Sequence, residues 1–141
     1  MANHKESLWL FSFTTLALLF VALSCMSRTE DCQNELLKEV RSPDGKLKAA
    51  VFQRDCGATT GFSTQISILP ADEKLLDKSG NIFVADTDHG KAPSGAGSGP
   101  KVEVRWVNEN ELLIRHDSRA RVFHSEQSLN NVRILYEQAS L

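Results

Sequence analysis

Two short stretches hold the residue types that do chemistry. The first is Arg54-Asp55-Cys56-Gly57-Ala58-Thr59-Thr60-Gly61. Its amides and hydroxyls suit an anion nest or a small polar ligand. The simpler reading, which we prefer, is a disulfide-tethered connection between strands. Gly57 and Gly61 then supply positive φ, and the threonines close local turns. Arg54 beside Asp55 is expected to form an internal pair bracing the loop. A nucleophilic Cys56 would need a neighbouring base and a free thiol, which an oxidising compartment opposes. The second stretch is Asp86-Thr87-Asp88-His89-Gly90. Two carboxylates at alternate positions beside an imidazole suit Ca²⁺ or a transition metal. The twelve-residue calcium pattern is not completed, however: no glutamate stands at the required distance and Gly90 comes early. His116 and His124 lie on other segments. An Asx turn ending a strand is the expected role. No catalytic residue, metal or cofactor is expected, and no nucleophile elbow, phosphate loop or zinc motif occurs. The candidate binding surface is Arg54, Asp55, Thr59, Thr60, Asp86, Asp88 and His89.

The cysteines suggest where such a surface would operate. Cys25 follows an apolar run from Leu8 to Leu23 and the small residue Ser24. The run is slightly short for a membrane span and reads as an export signal over residues 1–24. Leu23-Ser24-Cys25 is a lipobox-like sequence, although the usual leucine position holds Ala22. Cys25 is the expected lipidation site, and an ordinary cleavage after Ser24 is the alternative. Residues 25–34 then form a lipid-anchored tether and residues 35–141 a β-domain. Cys32 and Cys56 are expected to pair, contributing on the order of 3 kcal/mol. The expected location is the bacterial cell envelope on the periplasmic side, with the outer membrane favoured and a secreted periplasmic form as alternative.

The chain of 141 residues carries a formal net charge of -2, with both signs interspersed. No basic stripe supports nucleic-acid binding. The mature part, roughly 110 residues, allows one modest core.

The elements that must position these stretches follow a period of two rather than 3.6. Ser42-Pro43-Asp44-Gly45 is a turn between Glu35–Arg41 and Lys46–Arg54. The second of these segments has apolar residues on both faces, which predicts a central strand. Phe62–Leu69 alternates, with Phe62, Thr64, Ile66 and Ile68 inward and Ser63, Gln65 and Ser67 on a wet face. Asp72–Lys78 reads as a short helical turn or an exposed loop, and Asn81–Asp86 as a strand. Thr87–Pro100 is too rich in glycine and proline for a regular element and reads as a flexible surface loop. Lys101–Val107 and Glu111–His116 form a hairpin, with Val102, Val104 and Trp106 inward. Arg115, Arg119 and Arg121 form a modest basic cluster around the Asp117-Ser118 turn. Ala120–His124 and Val132–Tyr136 complete about eight short strands. That predicts an all-β, antiparallel sandwich or meander after an N-terminal signal helix.

Two resemblances follow. Ser42-Pro43-Asp44-Gly45-Lys46 and Trp106-Val107-Asn108-Glu109-Asn110-Glu111-Leu112-Leu113-Ile114 resemble the inner hairpins of TolB-type propeller blades. The chain is too short for a closed propeller, so this implies blade-like hairpins in a smaller sheet. The Ser-Pro-Asp-Gly-Lys, Arg54-to-Gln65 and Ala85-to-Gly90 segments together resemble a family of small, uncharacterised bacterial envelope lipoproteins. The resemblance implies a compartment and a fold, and no activity.

The expected function is a non-enzymatic envelope binding module, attached to the membrane by its N-terminal lipid and facing an envelope protein partner. A lysozyme-inhibitor-like use of the loop at Pro93-Ser94-Gly95 is a sub-case. The alternatives are a small periplasmic hydrolase or metal-binding protein using Asp86–His89, and a purely structural envelope protein.

Overall fold

Among the described residues, turn residues cut the chain into nine strands, and no helix occurs there. The computed structural model describes residues 32–141. The expected signal segment, the lipid site at Cys25 and tether residues 25–31 lie outside them. The strands are β1 (Gln33–Arg41), β2 (Leu47–Asp55), β3 (Ser63–Pro70), β4 (Phe83–Asp86), β5 (Val102–Asn108), β6 (Glu111–Asp117), β7 (Arg121–Ser125), β8 (Ser128–Leu129) and β9 (Val132–Ala139). The first strand begins at Gln33, so the expected tether ends two residues early. Segment 72–78 is an extended loop and not a helical turn.

The strands form a five-stranded sheet, β1-β2-β3-β4-β7, and a four-stranded sheet, β5-β6-β9-β8. Alternation decides what lies between them. Ala49, Val51, Ile66, Ile68, Phe83 and Ala85 of the first sheet meet Val104, Trp106, Leu112, Ile114, Val132 and Ile134 of the second in one core. The indole of Trp106 donates to Val40 O across the sheets at 2.9 Å. All pairs are antiparallel except β6–β9, which is parallel. After β6 the chain crosses to the first sheet to make β7, then returns. It therefore re-enters the second sheet in β6's own direction.

The crossing from β6 to β7 is built on Asp117, which is fully buried. Its carboxylate accepts from the Arg119 amide (2.9 Å), Arg119 Nε and Nη2 (both 2.8 Å) and the Leu141 amide (3.1 Å). The Arg119 hydrogen bonds hold its carboxyl well below the usual carboxylate range. Because the folded pKa is depressed, this stabilisation is complete above the unfolded pKa, about 4. It is lost as pH falls through the folded pKa. Asp117→Asn should therefore melt lower at neutral pH and flatten the loss of stability below about pH 4, which melting curves across pH 5 to 2 would read.

The face of the first sheet turned away from the core is not the wet face expected of β3. Gln65 and Ser67 are 4% and 5% exposed. Segment 71–82 runs over them as a strap and supplies the polar partners that solvent would have supplied. Gln65 Oε1 accepts from the Gly80 amide (2.7 Å) and Ser79 Oγ (3.1 Å), and Ser67 Oγ accepts from the Asn81 amide (3.1 Å). Asn34 Nδ2 ties the strap to β1 through Leu76 O and Lys78 O.

The glycine-rich segment 87–100 has no strand, as its composition requires, yet it packs down and plugs one end of the sandwich. Ser98 N donates to Gln53 Oε1, Thr64 Oγ1 donates to Pro100 O, and Gly95 N donates to Gly99 O. Ala92, Gly99 and Pro100 are buried. A Cβ on Gly99 would stand 2.6 Å from Thr64 N and 2.8 Å from Ser63 C, so its backbone seats directly on β3. Gly99→Ala should cost about 1–3 kcal/mol by overpacking. Gly90→Ala meets open space and costs about 1 kcal/mol, from positive φ alone. Thermal melts of the two variants would separate the effects.

Candidate functional site

Strand register assembles the site. Asn34 pairs with Arg54, Arg54 with Ser63, Ser63 with Asp86, and Asp86 with Arg121. Register partners share a face, so the five residues form a row across the outer face of the first sheet. Adjacent strands are spaced about 4.8 Å apart, which puts the Arg54 and Asp86 backbones about 10 Å apart. The Cys56–Gly61 loop and the Thr87–Gly90 turn therefore leave the same end of the same sheet.

Cys32 and Cys56 are joined by a disulfide with Cα atoms 4.0 Å apart. It sits one residue beyond the last register pair of the β1–β2 hairpin, Gln33 with Asp55. The expected Arg54–Asp55 pair is not formed, because successive strand residues point to opposite faces. Arg54 Nη1 donates to Asn34 Oδ1 at 2.8 Å, while Asp55 Oδ1 accepts from the Gly57 amide at 2.9 Å. Gly57 has a φ of 99°; Gly61 does not have the positive φ expected of it. The Thr60 amide and hydroxyl both donate to Gly57 O at 3.1 Å. The Gly57 and Thr60 amides are thus turned onto the chain itself, which disfavours an anion nest. Thr59 is exposed.

The second stretch forms the expected Asx turn, with the Asp88 amide donating to Asp86 Oδ1 at 2.8 Å. Asp88, His89 and Gly90 then take consecutive left-handed conformations, with φ of 48°, 58° and 85°. Such residues are unfavourable by roughly 1 kcal/mol or more when they carry a Cβ. Closing bonds from Gly90 N to Thr87 Oγ1 and Ala92 N to Thr87 O hold the turn. Lys91 Nζ donates to Asp88 Oδ2 at 2.6 Å and keeps that carboxyl below its ordinary range. Arg121 grips Asp86 with two bonds, at 3.2 Å and 2.5 Å. Burial pushes the Asp86 carboxyl up, but Arg121 and the Asp88 amide outweigh it and hold it low.

Both carboxylates are therefore ionised at neutral pH, each with its own cation. Neither is tuned to hold a proton for acid catalysis. Among the described residues no group of three or more His, Cys, Asp and Glu side chains gathers to hold a metal ion. Three clefts of the domain are lined by other residues. The arrangement suits recognition, with fixed charges presented on a rigid sheet end.

Five residues of this surface escaped the sequence reading: Asn34, Phe62, Ser63, Arg121 and Phe123. The supposed basic cluster disperses. Arg115 bonds Glu103 and Glu137, Arg119 bonds Asp117, and Arg121 bonds Asp86. The Arg121 guanidinium lies 4.9 Å over the ring of Phe123, which is 59% exposed. Phe62, beside Ser63 and expected inward, is 39% exposed. Phe123 is the extra residue of a bulge in β7, between Val122, paired with Ala85, and His124, paired with Val84, so plain alternation gave no signal for the stack.

The described residues define a disulfide-tied, two-sheet β-sandwich with a charged row flanked by exposed aromatics. No family model matches the chain, and no curated protein and no solved structure matches it.

Proposed function

We propose that this chain is a non-enzymatic binding module of the bacterial cell envelope, lipid-anchored at Cys25 and contacting an envelope protein partner. The observation that carries the reading is the row Arg54, Ser63, Asp86 and Arg121, with Phe62 and Phe123 exposed beside it. Exposed aromatic side chains next to a preorganised arginine are the residue types that dominate interface energetics. The ion pairs already formed in the free domain lower the ordering cost of association. The Asp88, His89 and Thr59 edges extend the same surface. In the lysozyme-inhibitor sub-case the exposed Pro93 and Ser94 would make the contact, on a segment held to the sheet through Gln53 and Thr64. The three clefts described above are lined by neither Arg54–Thr60 nor Asp86–His89, which the hydrolase alternative would need to bring together.

The anchor and the surface are tested separately. Labelled palmitate should enter the wild-type protein and be lost in Cys25→Ser; label in neither protein contradicts the anchor. Tagged wild-type protein should retain an envelope protein that the Phe62→Ala/Phe123→Ala variant loses by about tenfold or more. Equal retention by both would point to the purely structural alternative.

A further inference from the structure

A different part of the molecule carries an independent inference. Strand β1 has a bulge between Leu36 and Lys38. Leu36 pairs with Phe52 on the outer face, yet Lys38 pairs with Val51, a residue of the core. The extra residue, Leu37, thus turns Lys38 to the inner side of an edge strand. A bulge commonly serves to re-aim a side chain in this way.

Lys38 lies at the mouth of a cleft of about 180 Å³ between the two sheets. Leu37, Val51, Ala96, Pro100, Val102 and Val104 wall it. The Val40–Trp106 bond joins β1 to β5 beside it, and the glycine-rich plug contributes its Ala96–Pro100 side. A second hollow of about 390 Å³ shares Lys38, Val102 and Val104 and continues over β5 to Arg105. That hollow lies over the other face of β5, because Glu103 and Arg105, with their register partners Arg115 and Leu113, point away from the core that Val104 and Trp106 enter. The cleft of about 180 Å³ between the sheets is the one that could take an apolar tail.

The charges lining the cleft are Lys38 and Lys101; Glu103, Arg105 and Arg115 line the neighbouring hollow. Arg115 is held by Glu103 and Glu137, and Lys101 lies 3.8 Å from Glu103. Lys38 and Arg105 are exposed and have no carboxylate within salt-bridge distance among the described residues. We propose that the cleft binds a small amphipathic anion, with its aliphatic tail between the sheets and its carboxylate at Lys38. A charge-assisted hydrogen bond from this unengaged cation would orient the headgroup.

Octanoate is the probe, titrated into the protein as purified from the expressing cell, with amide shifts and calorimetry as readouts. Octanol and octyltrimethylammonium are the controls. Octanoate should saturate shifts at Leu37, Val51, Val102 and Val104, and bind at least about tenfold tighter than octanol. Lys38 is exposed, so Lys38→Glu should leave the fold intact. It should weaken octanoate by about tenfold or more and admit octyltrimethylammonium. Absence of octanoate shifts in the wild type would overturn the proposal. So would binding that matches octanol and ignores Lys38→Glu. The bulge and inward lysine would then serve to keep β1 from pairing with other chains, and Lys38→Met would self-associate.

Discussion

The Cys32→Ser/Cys56→Ser variant should melt about 15 °C below wild type, a loss of about 3 kcal/mol. The disulfide closes a sequence separation of 24 residues. Its benefit lies in restricting the unfolded chain, which gains that freedom when the bond is removed. The folded state should change little, because the β1–β2 ladder already brings Gln33 to Asp55. Dithiothreitol should lower the wild-type melting temperature to that of the variant and leave the variant unmoved. A variant as stable as wild type would mean that the ladder alone restrains both states. Reduced protein that is still folded should keep the Arg54–Asn34 bond and the outer-face row.

Phe52→Ala should cost about 3–5 kcal/mol, as much as loss of a central core aromatic. Phe52 has no exposed surface, yet it stands on the face turned away from the second sheet. Its burial means that the first sheet is packed on both sides, with the strap 71–82 as a third layer. Leu36, its register partner on the edge strand, is 47% exposed. Leu36→Ala should stay within about 1 kcal/mol. Denaturant unfolding of both variants checks the pair. Similar small losses would show that the strap adds no packing of its own.

Much of the framework was legible because it is local. The alternation of Val102, Val104 and Trp106, the Ser42–Gly45 turn and the two-faced apolar pattern of β2 each report a nearby constraint, and each is realised. The all-β class and the Cys32–Cys56 pairing followed from such signals. What escaped depends on distant partners. Ser63, Gln65 and Ser67 read as wet because hydroxyl and amide side chains usually face water. Here the strap from 71 to 82 satisfies Gln65 and Ser67, while half-buried Ser63 accepts from Gln65 Nε2. The glycines of 95–99 read as freedom, but Gly99 allows a close approach to β3. The parallel β6–β9 pair arises from an excursion through the other sheet, which no local pattern encodes.

The candidate site was half legible for the same reason. Asp86 and Asp88 were recognised as an Asx turn from their own spacing. Arg121, 35 residues beyond Asp86, was grouped with its sequence neighbours instead of its register partner. Register also separated Arg54 from Asp55 and joined it to Asn34.

The central claim is that the outer-face row is where a partner binds. A photo-crosslinking amino acid placed at Phe123, and separately at exposed Val107 on β5, tests it in the living cell most directly. The account predicts a discrete protein adduct from position 123, absent from position 107 and lost when Asp86→Arg is added. No adduct at 123, or the same adducts from both positions, would contradict it.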